Sequence, residues 1–216
     1  MGVKDRRRYD NSGRRADASA RRRRILEAAR RLFAERGYAA TTIAHIAKEA
    51  GVSQELIYSS FGNKRELLFK MHETVVVGDD EDIPLAQRGA AIAIRDEKSQ
   101  ESQCRLGARL AREVFERSAT IWRMIDEAVS ADPEIQPLRR QREQQRFEDV
   151  RALVEAVASL GALRYETPVA TDIVYALSSP DVYLLLVEDR NWSPDHYERW
   201  LAAALMDNLA GSESRT

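Results

Sequence analysis

Apolar residues along the chain recur at the three- and four-residue spacings of helices, and no segment alternates in the manner of a strand. The pattern predicts an all-α fold of about nine to ten helices. The first, over 20–36, buries Ile25, Leu26, Ala29, Leu32 and Phe33, with Ser19 as its N-cap and Gly37 just past its end. A short second helix, 43–50, follows Thr42 as N-cap, turns Ile43, Ile46, Ala47 and Ala50 inward and stops at Gly51. Ser53 caps a third, 54–60. Asn63 opens a fourth, where Glu66 supplies the acid of a capping box and Leu67, Leu68, Met71 and Val75 form the buried stripe.

An acidic loop ending in a proline, residues 78–84, is the candidate domain boundary. Beyond it, helices are expected near 85–96, 100–116, 119–131, 134–160, 168–178, 180–190 and 194–209. Ser179-Pro180-Asp181 and Ser193-Pro194-Asp195 share one start signal, with Ser as cap, Pro in the first turn and Asp at the positive helix end. The resulting plan is a disordered basic arm (1–18), a small helical head (19–78), a larger helical body (79–210) and a frayed tail (211–216).

Composition narrows the class. The chain has 216 residues, 44% hydrophobic and 32% charged, a globular balance that excludes wholesale disorder. The run Val182–Val187 is far shorter than the ~20 apolar residues of a membrane helix, and no apolar segment follows the charged N-terminus, so neither membrane nor secretory signal is expected. One cysteine, Cys104, cannot form an internal disulfide. It reads as a packing residue, and the expected compartment is a reducing cytoplasm. The net charge of −1 conceals an asymmetry: residues 1–75 carry 17 Lys and Arg against 9 Asp and Glu, the remainder 17 against 26. A basic head on an acidic body suggests that the head alone meets a polyanion.

The informative stretch is TTIAHIAKEAGVSQELIYSSFGNKRELL, residues 41–68. Two short helices meet at Ala50-Gly51-Val52-Ser53, and small residues at Ala47 and Gly51 allow close approach. This is helix-turn-helix spacing, in which the second helix is held out as a reading head for the major groove. An ordinary helical hairpin has the same turn; the basic head and arm favour DNA.

Residues 20–70 resemble the DNA-binding domain of the TetR family of bacterial transcription regulators. The resemblance rests on Ile25, Ala28, Leu32, Phe33, Gly37-Tyr38, Ala40-Thr41-Thr42, Ile46-Ala47, Ala50-Gly51-Val52-Ser53, Ile57-Tyr58, Phe61, Asn63-Lys64 and Leu67-Leu68. It implies a helical homodimer with a variable C-terminal domain for effector binding and dimerisation. Ala176 to Tyr183, Asn191-Trp192-Ser193-Pro194 and Trp200-Leu201 resemble an actinobacterial-type subgroup more weakly.

The candidate DNA-binding residues are Thr42, His45, Ser53, Gln54, Glu55, Leu56, Tyr58, Ser59, Ser60 and Lys64, of which His45, where an acid would complete a capping box, Glu55 and Leu56 depart from the family's pattern. Thr42, with the amides of its helix end, would hold a phosphate. Tyr58 and Lys64 match phosphate-binding positions, and Gln54 suits an adenine edge. The family often has Gly or Pro, then Thr or Ala, where this chain has Glu55-Leu56. Glu55 either caps the helix or accepts from a cytosine amino group; Leu56 either touches a thymine methyl or is buried. The arm residues Lys4, Arg6, Arg7, Arg8, Arg14 and Arg15 either follow the minor groove or remain a solvated tail.

In the body, Phe115, Trp122, Met124, Phe147, Tyr175 and Tyr183 are the candidate lining of an effector pocket, with an apolar or aromatic effector expected. Val182, Leu185, Leu186, Tyr197, Trp200, Leu201 and Leu205 are the candidate dimer interface, after the family's pairing of its last two helices. The expected function is a repressor that binds palindromic operator DNA and is released by a small molecule, without a cofactor or metal. Enzyme chemistry is disfavoured: His45, His72 and His196 are scattered, and no HExxH, P-loop or GxSxG motif occurs. A helical adaptor that keeps the fold without reading DNA is the alternative.

Overall fold

A computed structural model describes residues 12–78, 83 and 85–211. Lys4, Arg6, Arg7 and Arg8 lie outside the described residues, as does the tail beyond Gly211. The chain divides into two compact units, Met1–Met71 and His72–Thr216. The boundary expected at 78/79 is thus displaced into helix α4, which runs continuously through the division.

The first unit holds α1 (Ser12–Ala40), α2 (Ile43–Ala50), α3 (Gln54–Phe61) and the start of α4 (Lys64–Val77). Helix α1 begins earlier than the sequence suggests. Residues 12–18 are helical rather than disordered, and Ser19 is no N-cap: its hydroxyl accepts from Arg23 one turn on, at 3.2 Å. The helix breaks where glycine permits it, at Gly37 (φ 75°, ψ 165°). The buried Thr41 hydroxyl then donates to the carbonyls of Gly37 (2.9 Å) and Leu32 (3.1 Å), closing the frayed end. The core combines Ile25, Leu26, Ala29, Leu32 and Phe33 with Ile43, Ile46, Ala47, Ile57, Phe61, Leu67 and Leu68.

The second unit is built on α6 (Gln100–Ala131), about 48 Å of helix at 1.5 Å per residue. The break expected near 116–119 does not occur. Ser118, inside the expected gap, is buried and donates its hydroxyl to the Val114 carbonyl at 2.8 Å within the helix. Around α6 stand α5 (Gly89–Asp96), α7 (Gln136–Ala158), α8 (Thr167–Leu177), α9 (Pro180–Leu184) and α10 (Pro194–Leu209). Cys104, Ala108, Val114, Phe115 and Ala119 of α6 meet Val154, Val157, Val174, Tyr183, Leu184, Tyr197, Leu201 and Leu205 in one core. Arg112 pins α6 to α10 through Glu198 at 3.0 Å. The described residues hold no strand, only an isolated bridge between Leu163 and Ala210.

Both Ser-Pro-Asp signals start helices as expected. Ser179 accepts from the Val182 amide at 3.1 Å and Ser193 from the His196 amide at 3.2 Å. Helix α9 then loosens into a π turn, Leu185–Asp189, in place of the regular helix expected to 190. Thr167–Asp189 is long and apolar enough to span a membrane by composition. The backbone is extended at Ser179 (ψ 151°), however, so α8 and α9 are separate helices, and Ala170, Val174, Tyr183 and Leu184 are buried in the core.

Candidate functional sites

The first candidate site is the outer face of the head. Ile57 (1% exposed) and Phe61 (6%) anchor one side of α3, so the residues between them must point away from the core. Gln54, Glu55, Tyr58, Ser59 and Ser60 are exposed, and Leu56 is half-buried. Tyr58, at 52% exposure, is an aromatic ring presented to solvent with no core role. Ser53 caps α3 by accepting from the Leu56 amide at 3.2 Å, and Thr42 caps α2 by accepting from the His45 amide at 3.2 Å. Both caps and His45 are exposed.

The turn joining the helices depends on Gly51. Its left-handed conformation (φ 64°, ψ 44°) returns its amide to the Lys48 carbonyl, and the Val52 amide to that of Ala47 at 3.0 Å. The Glu55 carboxyl is held below the usual carboxylate range by its own backbone N–H and by the Ser53 hydroxyl, the arrangement of an acid in a first helical turn. Lys64 opens α4 with its ammonium donating to the Tyr38 carbonyl at 2.7 Å and lying 3.9 Å from the Tyr38 ring centre. Arg22, in the basic run Arg21 to Arg24 just behind the arm, reaches the Ser60 carbonyl and sits 4.4 Å from the Phe61 ring centre.

The second candidate site is a cavity of about 320 Å³ inside the second unit. Its size is at the lower end for a small-molecule site. Leu85, Ile94, Leu110, Val114, Phe115, Trp122, Leu153, Val174, Leu201 and Leu205 supply most of its wall. Gly107 lets α7 approach α6 there, since a Cβ at that position would lie 3.0 Å from Leu153 Cδ2. One side is polar. Arg142, Gln145, Arg146 and Asp149 line it from α7, and His72 and Glu73 from the end of α4.

These polar groups are differently satisfied. Arg142 pairs with Glu73 at 3.4 Å. Arg146 donates to the Tyr175 and Ser178 carbonyls (3.2 and 3.1 Å) and packs on the Tyr175 ring at 3.6 Å, with burial pulling its pKa down. Burial raises Asp149, against a hydrogen bond from Gln145. His72 is 4% exposed and stands edge-on to Trp122, ring centres 4.6 Å apart. Neither of its ring nitrogens has a protein hydrogen-bond partner. Burial lowers its pKa to about 3, so the imidazole is neutral.

Of the pocket residues expected from the sequence, Phe115 and Trp122 line this cavity, and Met124, Phe147, Tyr175 and Tyr183 do not. Tyr183 is buried core, packed on Phe115 and Tyr197 (ring centres 5.9 and 4.9 Å). Phe147 and Tyr175 pair with each other at 5.5 Å. The expected dimer set also divides. Tyr197, Leu201 and Leu205 are at most 1% exposed because the apolar stripe of α10 faces α6 within the subunit, so they offer no surface to a partner. Leu185 is 52% exposed, and Val182, Leu186 and Trp200 are half-buried. The polar wall of the cavity was overlooked although it has a sequence signature: positions 142, 145, 146 and 149 form one helical face.

The described structure thus combines a helical unit with an exposed helix-turn-helix face and a second helical unit with a ligand-sized cavity. Known proteins place it more closely. Residues 25–71 match the family model described as bacterial regulatory proteins, tetR family. The chain is 47% identical over 64 residues to the HTH-type transcriptional regulator HbdR of an Aromatoleum species, covering 30% of this chain and 28% of that protein. It is 48% identical over 62 residues to the HTH-type transcriptional regulator TtgR of Pseudomonas putida, covering 27% of this chain and 30% of that protein. These matches span less than a third of either relative. NalD of Pseudomonas aeruginosa, described as the secondary repressor of the MexAB-OprM multidrug efflux pump, shares the fold with a TM-score of 0.69 at 22% identity, over 91% of this chain and 100% of that one. Residues 25–71 of the first unit thus match a TetR-family helix-turn-helix domain, and the chain as a whole has a TetR-like fold.

Proposed function

We propose that the chain is a sequence-specific transcriptional repressor that binds a palindromic operator as a homodimer and is released by a small molecule held in the cavity of the second unit. The observation that carries this reading is the α3 face, where Ile57 and Phe61 fix the helix while Gln54, Tyr58, Ser59 and Ser60 stand exposed between capped helix ends. Gln54 and Ser59 are of the residue types that read base edges, and Thr42, Tyr58 and Lys64 of the types that hold phosphates. Glu55 acts first as a helix-end acid, consistent with its bonds to Ser53 and its own amide.

Two heads related by a two-fold axis would meet half-sites about one helical turn apart, ~34–36 Å. Leu185, Val182, Leu186 and Trp200 are the remaining candidates for the dimer contact. Leu201 and Leu205 line the cavity from the helix that carries Trp200. An occupant that moves α10 therefore has a route to that surface, and release of DNA is a population shift between spacings of the heads. A cytoplasmic location and the actinobacterial-type character of the C-terminal segment belong to the same reading.

The test is selection of bound fragments from random duplexes, followed by titration of the selected sequence and a scrambled duplex at two salt concentrations. A palindrome preferred by ~10³-fold or more, bound more weakly as salt rises, is the expected result. Equal, weak binding to both duplexes would overturn the reading.

A further inference from the structure

The polar groups around the cavity are not equivalent, and the difference identifies the kind of molecule it takes. Glu73 answers Arg142, and Arg146 is held by two carbonyls and an aromatic face. Among the described residues lining the cavity, His72 is the buried group with both of its polar atoms unmet: neither ring nitrogen has a protein partner. A buried polar group in that condition costs free energy, and a plain packing role on Trp122 would be filled at lower cost by phenylalanine. A neutral imidazole offers one N–H donor and one acceptor nitrogen. The ring's torsion about Cβ–Cγ is broad, so a small turn presents a nitrogen to an occupant. Around it the wall is apolar and aromatic, with Trp122 in contact with His72, and Phe115 and Val114 on the same helix.

We infer that the cavity is built for an aromatic hydroxyl compound, a phenol-like molecule whose ring lies among Trp122, Phe115 and the aliphatic wall and whose hydroxyl bonds to His72. A hydroxyl matches the imidazole because it both donates and accepts. A carboxylate accepts but cannot donate, so it would leave the acceptor nitrogen of His72 unmet, and a bare hydrocarbon would leave His72 as unsatisfied as it is now. At about 320 Å³ the cavity is at the lower end for a small-molecule site, which suits a compact one- or two-ring phenol. This inference rests on the reading of the cavity as the effector site.

The experiment is calorimetric titration of the full chain, without DNA, with 2-naphthol, naphthalene and 2-naphthoate. The expected result is binding of 2-naphthol at least about tenfold tighter than either analogue. The same series on His72→Phe should leave naphthalene affinity in place and erase the advantage of the hydroxyl. Equal affinity for naphthol and naphthalene in the unaltered chain, a preference for naphthoate, or no binding of any of the three overturns the proposal whatever the variant does. So does a folded His72→Phe chain that keeps the hydroxyl preference. Release of the selected operator by 2-naphthol is read separately. Hydroxyl-selective binding without release would sink the effector reading and leave the assignment of His72 standing.

Discussion

Tyr197 provides the sharpest test of the packing described for the second unit. Its side chain is 0% exposed, its ring packs against Tyr183 (centres 4.9 Å apart, planes at 81°) and Trp200 (5.8 Å), and its hydroxyl has no protein hydrogen-bond partner. Burial accordingly raises its pKa. Removing the oxygen by Tyr197→Phe keeps every ring contact and relieves the desolvation of an unpaired hydroxyl, roughly 1–3 kcal/mol. The void left behind is about 10–15 Å³ and costs only ~0.3 kcal/mol at ~24 cal/mol per Å³. The variant should therefore be more stable by about 1–2 kcal/mol, a rise in Tm of about 2–8 °C for a chain of this size. Tyr197→Ala removes the ring as well and should cost about 3–5 kcal/mol. Urea unfolding followed by far-UV circular dichroism measures both. Because Tyr197 faces α6 and not a partner, Tyr197→Phe should also leave the sedimentation coefficient unchanged. A Tyr197→Phe chain less stable than its parent by more than about 0.5 kcal/mol would refute the reasoning, since the hydroxyl would then have a favourable bond.

Three further outcomes follow from the same physical reading. Gly51→Ala should cost about 1–2 kcal/mol, all of it backbone strain at φ 64°, because a Cβ there meets nothing within 4 Å; a thermal melt of the chain measures it. Glu55→Gln removes a negative charge from the exposed face of α3 and should tighten binding to the selected operator several-fold while making the salt dependence steeper or leaving it unchanged, as followed by fluorescence anisotropy; weaker binding would instead make Glu55 a base-reading residue. His72, with a folded pKa of about 3 against an ordinary value near 6.5, stays neutral while the unfolded chain takes up a proton, so its contribution is intact above about pH 6.5 and is lost as pH falls towards 3, by up to ~1.4 kcal/mol per pH unit. Urea midpoints between about pH 7 and 5 should fall less steeply in His72→Phe than in the parent.

How much of this was legible in the sequence depends on how local each determinant is. The head is written in short-range signals. Thr42, Gly51 and Ser53 each act on backbone groups within five residues, so α2, the turn and α3 could be read with nearly the right bounds. The Ser-Pro-Asp starts of α9 and α10 are local in the same sense. Where tertiary packing decides, the pattern misled. The break expected between 116 and 119 is absent: Ser118 there is buried, its hydroxyl bonds back to Val114, and α6 runs on.

Helical periodicity says that α10 has an apolar face but not what covers it. Tyr197, Leu201 and Leu205 satisfy the spacing for a partner subunit as well as for α6, and only the fold shows that α6 has taken them. The cavity is the opposite case. Aromatic residues attract attention in a sequence because they are large, yet a residue of that size usually fills space: Tyr183 packs between Phe115 and Tyr197, and Phe147 closes on Tyr175. What distinguishes the cavity wall is polarity on a partly buried face, at Arg142, Arg146 and Asp149 of α7, beside the buried His72 of α4. Such groups carry a desolvation cost that a pure packing role does not repay, so a polar stripe on an inward helix face points to a site more directly than any aromatic does.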